Sequence, residues 1–212
     1  MVQTVAAVAF GYALVGLWLR RHPGAVPYGA RFFLALPRRR LHWRQLVDRL
    51  QLDGGERLLE VGPGTGYYSL PVAASLENGT LEVLDVRPEF AEHVRRRAQA
   101  ASIDNIRATV GDGSILPYAD DSFDAGFLVT VLGEIPDQEA ALRELLRVLR
   151  PGGHLIVGES LASGDPHHVS FHTLKARAEA AGFGFEARDG GALAYWATFR
   201  VPARDGRAVA SA

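Results

Sequence analysis

A chain of 212 residues, 48% hydrophobic and 22% charged, is long enough to bury the core of one domain with a modest extension. It has no cysteine, which excludes disulfides, thiolate metal sites and a cysteine nucleophile. The net charge of −1 hides an asymmetry: residues 1–50 carry eight arginines against one acid, +7, and the remainder carries 15 basic against 23 acidic residues, −8. A basic amino-terminal segment on an acidic domain points to an anionic neighbour. No interleaved aromatic or zinc pattern makes that neighbour a nucleic acid.

Val2 to Leu19 is apolar except for Gln3 and Thr4, and Arg20, Arg21 and His22 follow. Eighteen residues is near the lower limit for a spanning helix. The charge follows the apolar run, opposite to a secretory signal, and predicts a cytoplasmic domain behind it. Residues 1–22 are therefore expected to attach the protein to the cytoplasmic face of a membrane. The competing expectation is a helix packed on the domain itself. Residues 23–52 form a basic connector and helical cap: prolines at 23, 27 and 37, the run Arg38–Arg40, a short helix around Ala30 to Leu36 and a helix over Leu41 to Leu50.

From residue 53 to 202 strands and helices alternate. Strands are expected at Arg57–Val61, Thr80–Val86, Ile106–Val110, Phe123–Thr130 and His154–Gly158. Helices are expected at Tyr67–Leu76, Pro88–Ala101, Asp137–Leu149 and Leu174–Ala181, with a turn at Pro151-Gly152-Gly153. Two last strands, Phe183–Arg188 and Leu193–Val201, are joined by Gly190-Gly191, and residues 203–212 form a frayed tail. Alternation implies a mainly parallel sheet covered on both faces. The closing pair implies an antiparallel hairpin on one edge.

The chemistry is expected at Leu58 to Ser69, LLEVGPGTGYYS. A strand ends in Glu60, a turn carries Gly62, Pro63, Gly64 and Gly66, and a helix begins. Glycines let a ligand approach the main chain, and the helix start offers free N–H groups and a positive dipole end. The spacing is G-x-G-x-G, not the G-x-G-x-x-G of dinucleotide folds. With Glu60 it reads E-x-G-x-G-x-G, which resembles motif I of class I S-adenosylmethionine-dependent methyltransferases. Asp85 ends the second strand, 23 residues beyond Gly62, and Asp112 follows the third in VGDGSILPY. The stretches LPYADDSFDAGFLV and LRPGGHL also resemble that family, with its ubiquinone and menaquinone methyltransferases the nearest branch.

The resemblance covers about Leu41 to Val201. It implies a Rossmann-like three-layer α/β sandwich with a seven-stranded, mostly parallel sheet, and S-adenosylmethionine as cofactor. It also implies roles. Glu60 would hold the cofactor's ammonium directly or through water. The Gly62–Gly66 backbone would lie along the methionine part, with Tyr67 or Tyr68 nearby. Asp85, with Val86, would take the ribose, and Asp112 with Gly113 the adenine. Thr130, after the fourth strand, completes the cofactor set. On the acceptor side stand Glu134 and the pair His167 and His168. The quinone branch often carries histidines before Ile135-Pro136-Asp137, where this chain has Gly133-Glu134. Glu134 and His167 are the candidate catalytic residues, as proton acceptors or contacts to a cationic acceptor, and no metal site is expected. The expected function is methyl transfer to a small-molecule or lipid-like acceptor. The alternatives are a non-catalytic S-adenosylmethionine-binding or membrane scaffold protein and, further off, an NAD-dependent oxidoreductase.

Overall fold

The computed structural model describes residues 27–30, 40–161 and 167–203. The apolar segment 1–22, most of the connector and the 203–212 tail thus lie largely or wholly outside the described residues. So do the membrane attachment and all but the first residue of the short helix expected on them.

The sheet has seven strands: β1 Arg57–Val61, β2 Thr80–Asp85, β3 Ile106–Val110, β4 Phe123–Val129, β5 Leu149–Ser160, β6 Gly184–Gly190 and β7 Ala194–Arg200. Their order is β3-β2-β1-β4-β5-β7-β6. The first five run parallel, and β7 lies antiparallel between β5 and β6. The strand order reverses between β1 and β4, which places the sheet's crevice at their carboxyl ends.

Helices cover both faces. On one lie α1 Trp43–Leu50, α2 Ser69–Ala74 and α3 Pro88–Ala100; on the other lie α4 Gln138–Val148 and α5 Phe171–Ala181. The central strands are buried on both sides and mostly apolar, with Glu60 a buried exception in β1. Leu46 and Leu50 of α1 pack with Val72, Ala73 and Trp196, and Leu142 and Leu145 of α4 pack with Leu155, Leu174 and Phe199.

Local signals fix most element ends. His42 and Gln45 form a reciprocal cap at the start of α1. Asp137 caps α4 by accepting from Ala140 N, and Gly182, with φ of +112°, closes α5. Most element ends shift by one or two residues from the sequence expectation, and three differences have a clear physical reason or consequence. The helix expected from Tyr67 starts at Ser69, because the glycine turn continues through Tyr68. The Pro151-Gly152-Gly153 turn is absorbed into β5, where the register with β4 jumps from Phe123↔Leu149 to Ala125↔His154. Asp137 is a cap outside α4, and Leu149 already belongs to β5.

No helix crosses from β3 to β4. Residues 111–122 run as turns instead, held by Arg147, which donates to the carbonyls of Leu116 and Tyr118 and pairs with Asp120 and Glu144 at 2.7 Å each. Glu144 in turn accepts from Leu116 N at 2.8 Å. This network anchors the stretch that follows Asp112. No helix among the described residues is long and apolar enough to cross a membrane.

Candidate active site

A cavity of about 290 Å³ opens at the carboxyl ends of β1, β2 and β4. Of the sequence-expected residues, Gly62, Pro63, Gly64, Asp85, Val86, Asp112, Gly113, Thr130 and Glu134 all line it, with Tyr67 and Tyr68. Three strand ends and two loops bring them together.

The glycine turn forms the floor. Gly62, Gly64 and Gly66 all have positive φ, +73°, +52° and +76°, a region that costs a side chain about 1–2 kcal/mol. At Gly62 space is closed as well: a Cβ would stand 2.5 Å from Val131 Cγ2. Gly62 N donates to Leu84 O at 2.8 Å, so the turn is pinned to β2. Gly66 is not on the cavity wall. It is buried beneath the turn, facing Leu70 and Val94, where it sets the packing of α2 on α3.

Three acids stand at or just beyond the ends of the first three strands, in graded exposure. Glu60 is 2% exposed and lies behind the turn rather than on the wall. Ser69 Oγ, at the start of α2, donates to its Oε2 at 2.5 Å. Burial pushes the Glu60 carboxyl up to about 8, the Ser69 hydrogen bond opposes this, and the nearby charge of Asp85 adds to it. Asp85, 7% exposed, lies on the wall and accepts from Arg87 N at 2.9 Å. Burial raises it too, against the hydrogen bonds from the Arg87 and Gly64 backbone. Asp112 is exposed. The Ser114 N–H and hydroxyl both donate to its Oδ1, at 2.8 and 2.7 Å, and hold its carboxyl below the usual range.

On the other side Thr130 follows β4 with φ of +56°, a left-handed conformation uncommon for a β-branched residue. Thr130 N donates to Gly158 O at 2.7 Å, which keeps the turn on the sheet. A short 3₁₀ turn, Leu132–Glu134, then carries Glu134 into the cavity. His167 is not on the wall. Its backbone carbonyl occupies the space that a side chain on Gly133 would need, so the His167 segment braces the turn from behind. His168 Nδ1 lies 3.5 Å from Glu159 Oε2, and that carboxylate is buried at the end of β5.

Sequence reasoning missed Ser69 as the partner of Glu60, and Phe90, Val131 and Pro136 as parts of the wall. Nothing local marks these residues, because each reaches the site through the fold.

The composition of the wall selects a ligand class. Among the described residues three acids line it, Asp85, Asp112 and Glu134, and no lysine, arginine or histidine does. A dinucleotide's pyrophosphate would meet only negative charge there, whereas a cation would be attracted. Carboxylates suit hydroxyl and amino donors, and Val86, Phe90, Leu84 and Ile135 offer apolar walls for a flat base. The donor set fits S-adenosylmethionine. Among the described residues no cluster of three potential metal ligands occurs.

Comparisons with known proteins agree. Residues 59–157 match the model of the methyltransferase domain family. The chain is 35% identical over 119 residues to the ubiquinone/menaquinone biosynthesis C-methyltransferase UbiE of Roseobacter denitrificans, covering 55% of this chain and 48% of that protein. It is 33% identical over 121 residues to methyltransferase GfsG of Streptomyces halstedii, covering 57% and 43%. The 27-O-demethylrifamycin SV methyltransferase of Amycolatopsis mediterranei is 32% identical over 123 residues, covering 58% and 45%. The match thus spans less than half the length of these curated relatives. Among solved structures, a SAM-dependent methyltransferase from Aquifex aeolicus superposes with a TM-score of 0.77 at 18% identity, over 84% of this chain and all of that one. The [4+2]-cyclase SpnF superposes at 0.69 and 24% identity, over 76% and 80%. Over residues 59–157 the chain is thus similar to the methyltransferase domain family and to the ubiquinone/menaquinone-biosynthesis methyltransferases, on a fold shared with SAM-dependent methyltransferases.

Proposed function

We propose that the protein moves a methyl group from S-adenosylmethionine to a small-molecule acceptor by in-line displacement. One observation carries this reading: a cavity at the switch point of the sheet, walled among the described residues by three acids and no base, on a glycine turn whose positive φ values admit main-chain contact. When bound, the cofactor supplies an electrophilic methyl on a positively charged sulfur. The protein's work is then position and exclusion of water. Asp85 accepts from the ribose hydroxyls, Asp112 and Gly113 receive the adenine edge, and Val86 and Phe90 flank the ring. The turn Thr130–Pro136 forms the side from which an acceptor reaches the methyl, and Glu134 is placed to accept its proton or pair with its positive charge.

The relatives are named for ubiquinone/menaquinone biosynthesis, for demethylmenaquinone and for 27-O-demethylrifamycin SV, which supports a bulky small-molecule acceptor. Domain boundaries at 1–22, 23–52, 53–202 and 203–212 belong to the same proposal. So does a cytoplasmic catalytic domain held at a membrane face by residues 1–22, whose apolar run and basic flank suit a lipid-soluble acceptor. A panel of quinols, phenols and hydroxylated macrocycles, followed by S-adenosylhomocysteine release, tests it. Release above the acceptor-free rate with one class supports the proposal.

A second reading has one specific observation behind it. The same fold serves a protein named a cyclase, so the fold does not fix the chemistry. In that reading the cavity binds cofactor without turnover. Tight cofactor binding with no S-adenosylhomocysteine release across the panel would favour it.

A further inference from the structure

We infer that Tyr195 and Glu159, which grip the backbone of Val169 from paired positions on β7 and β5, are positioning residues for the acceptor wall and hold the 3₁₀ turn that carries Glu134 into the cavity. The inference rests on reading Thr130–Pro136 as the acceptor side. It goes beyond that reading by giving a role to two buried residues that stand off the cavity wall.

Residues 167–170 precede α5 with no helix or strand pairing of their own. Their backbone groups must find partners elsewhere. Glu159 and Tyr195 stand opposite each other on antiparallel strands, so both side chains point to the same face of the sheet. There they take both ends of one residue. The Tyr195 hydroxyl donates to Val169 O at 2.7 Å, and Val169 N donates to Glu159 Oε2 at 3.5 Å. The Tyr195 ring is fixed in turn. His168 and Phe171 meet it near edge-on, with ring centroids 6.1 and 5.7 Å away, and the Arg188 guanidinium stands 5.6 Å from its centroid. Burial raises the Tyr195 hydroxyl, with the Glu159 charge adding and Arg188 opposing, so the group stays a donor.

From Val169 the hold reaches the cavity through its neighbour. The His167 carbonyl oxygen stands 1.8 Å from where a Cβ on Gly133 would lie, so the 3₁₀ turn is seated on that peptide. Val169 also shares one hydrophobic core with Leu132 and Ile135 of the turn region. The turn's own bonds, Glu134 N to Val131 O at 2.9 Å and Ile135 N to Leu132 O at 3.2 Å, close a single short loop. Such a piece has little stability alone, so the direction of Glu134 is set by what lies behind it. Loosening Val169 should therefore displace Glu134 and leave the glycine turn in place, because Gly62 is pinned separately to β2. A displacement of about 1 Å at a reacting group can cost about a hundredfold in rate.

The test is amide hydrogen exchange of the full-length protein, compared with Tyr195→Phe, which keeps the ring and removes only the donor. Exchange at Glu134 and Ile135 should quicken about tenfold, together with residues 168–171, while β1 and the glycine turn keep their rates. Glu159→Ala should do the same. Glu159→Gln, whose amide oxygen still accepts from Val169 N, should keep the wild-type rate at Glu134. Thermal unfolding checks that each variant folds. Faster exchange confined to 168–171, or raised equally across the sheet, would mean a merely structural role and overturns the inference. Kinetics add a second arm. With a quinol from the acceptor panel, Tyr195→Phe should lower kcat while the dissociation constant of S-adenosylmethionine holds within about twofold. In the Gly133→Ala background, where the seat on His167 is already disturbed, the same change should cost little more. An equal cost in both backgrounds overturns the inference and leaves the function reading standing. Turnover of no panel member overturns the function reading, and the exchange rates then decide the inference.

Discussion

The two sides of the cavity are held in different ways. On the β1–β3 side each acid sits at a strand end, and its environment comes mostly from residues nearby in sequence: Ser114 for Asp112, Arg87 for Asp85, Ser69 for Glu60. On the β4–β5 side the wall depends on a meeting of distant pieces. The turn at Leu132–Glu134 keeps its place because the His167 backbone fits against Gly133. The first side is built to repeat one geometry for one cofactor. The second is a packed contact between loops, and such contacts change readily from one acceptor to another.

Variants on each side sharpen the contrast. The largest effect is expected from Gly62→Ala. It forces a side chain into a left-handed position and against Val131 Cγ2, at a combined cost of about 2–5 kcal/mol of stability. Denaturant melts of Gly62→Ala and Gly62→Ala/Val131→Ala should separate the two terms: the double variant recovers the packing part and keeps the backbone part.

Next comes Glu60→Gln in the ligand-free protein. The folded carboxyl is raised from 4.5 to about 8, so between those values the folded state binds more protons and stability falls as pH rises. The substitution removes that slope. Glu60→Gln should be more stable than wild type at pH 8 and lose this advantage at pH 5. The upper bound is a few kcal/mol, at about 1.4 kcal/mol per pH unit. Thermal melts at the two pH values check the sign.

Asp85→Ala should leave the fold intact and weaken S-adenosylmethionine. Hydrogen bonds to a charged acceptor are worth about 1.5–3 kcal/mol, a loss of tenfold or more in affinity, measurable by calorimetry. Gly133→Ala should have the smallest effect on the cofactor. Its Cβ meets the His167 backbone, so the acceptor wall must shift while the glycine turn stays. Cofactor affinity should hold within about twofold, well below 1 kcal/mol, while turnover with any acceptor falls. Equal damage to both would mean that the two sides are one mechanical unit.

The same contrast explains what could be read from the chain alone. The sheet, its terminal hairpin and the acids at three strand ends were legible because period, glycine spacing and strand-end acids are local patterns. Asp85 and Asp112 both line the cavity. Glu60 was legible as a motif, but its place behind the turn and its bond to Ser69 depend on how α2 docks. His167 was read as a base from its chemistry. In the structure its backbone carbonyl stands against Gly133, and the glycine marks that close approach but not its partner. The Pro151-Gly152-Gly153 segment carries every mark of a turn, and pairing with β4 and β7 draws it into a bulged strand.

The central claim is that this cavity is built for a cation and not for a phosphate. Calorimetry of the full-length protein at pH 7.5 with S-adenosylmethionine, and separately with NAD, tests it most directly. The account predicts saturable binding of S-adenosylmethionine, weakened by Asp85→Ala, and no heat of binding with NAD. Saturable NAD binding with no response to S-adenosylmethionine would contradict it.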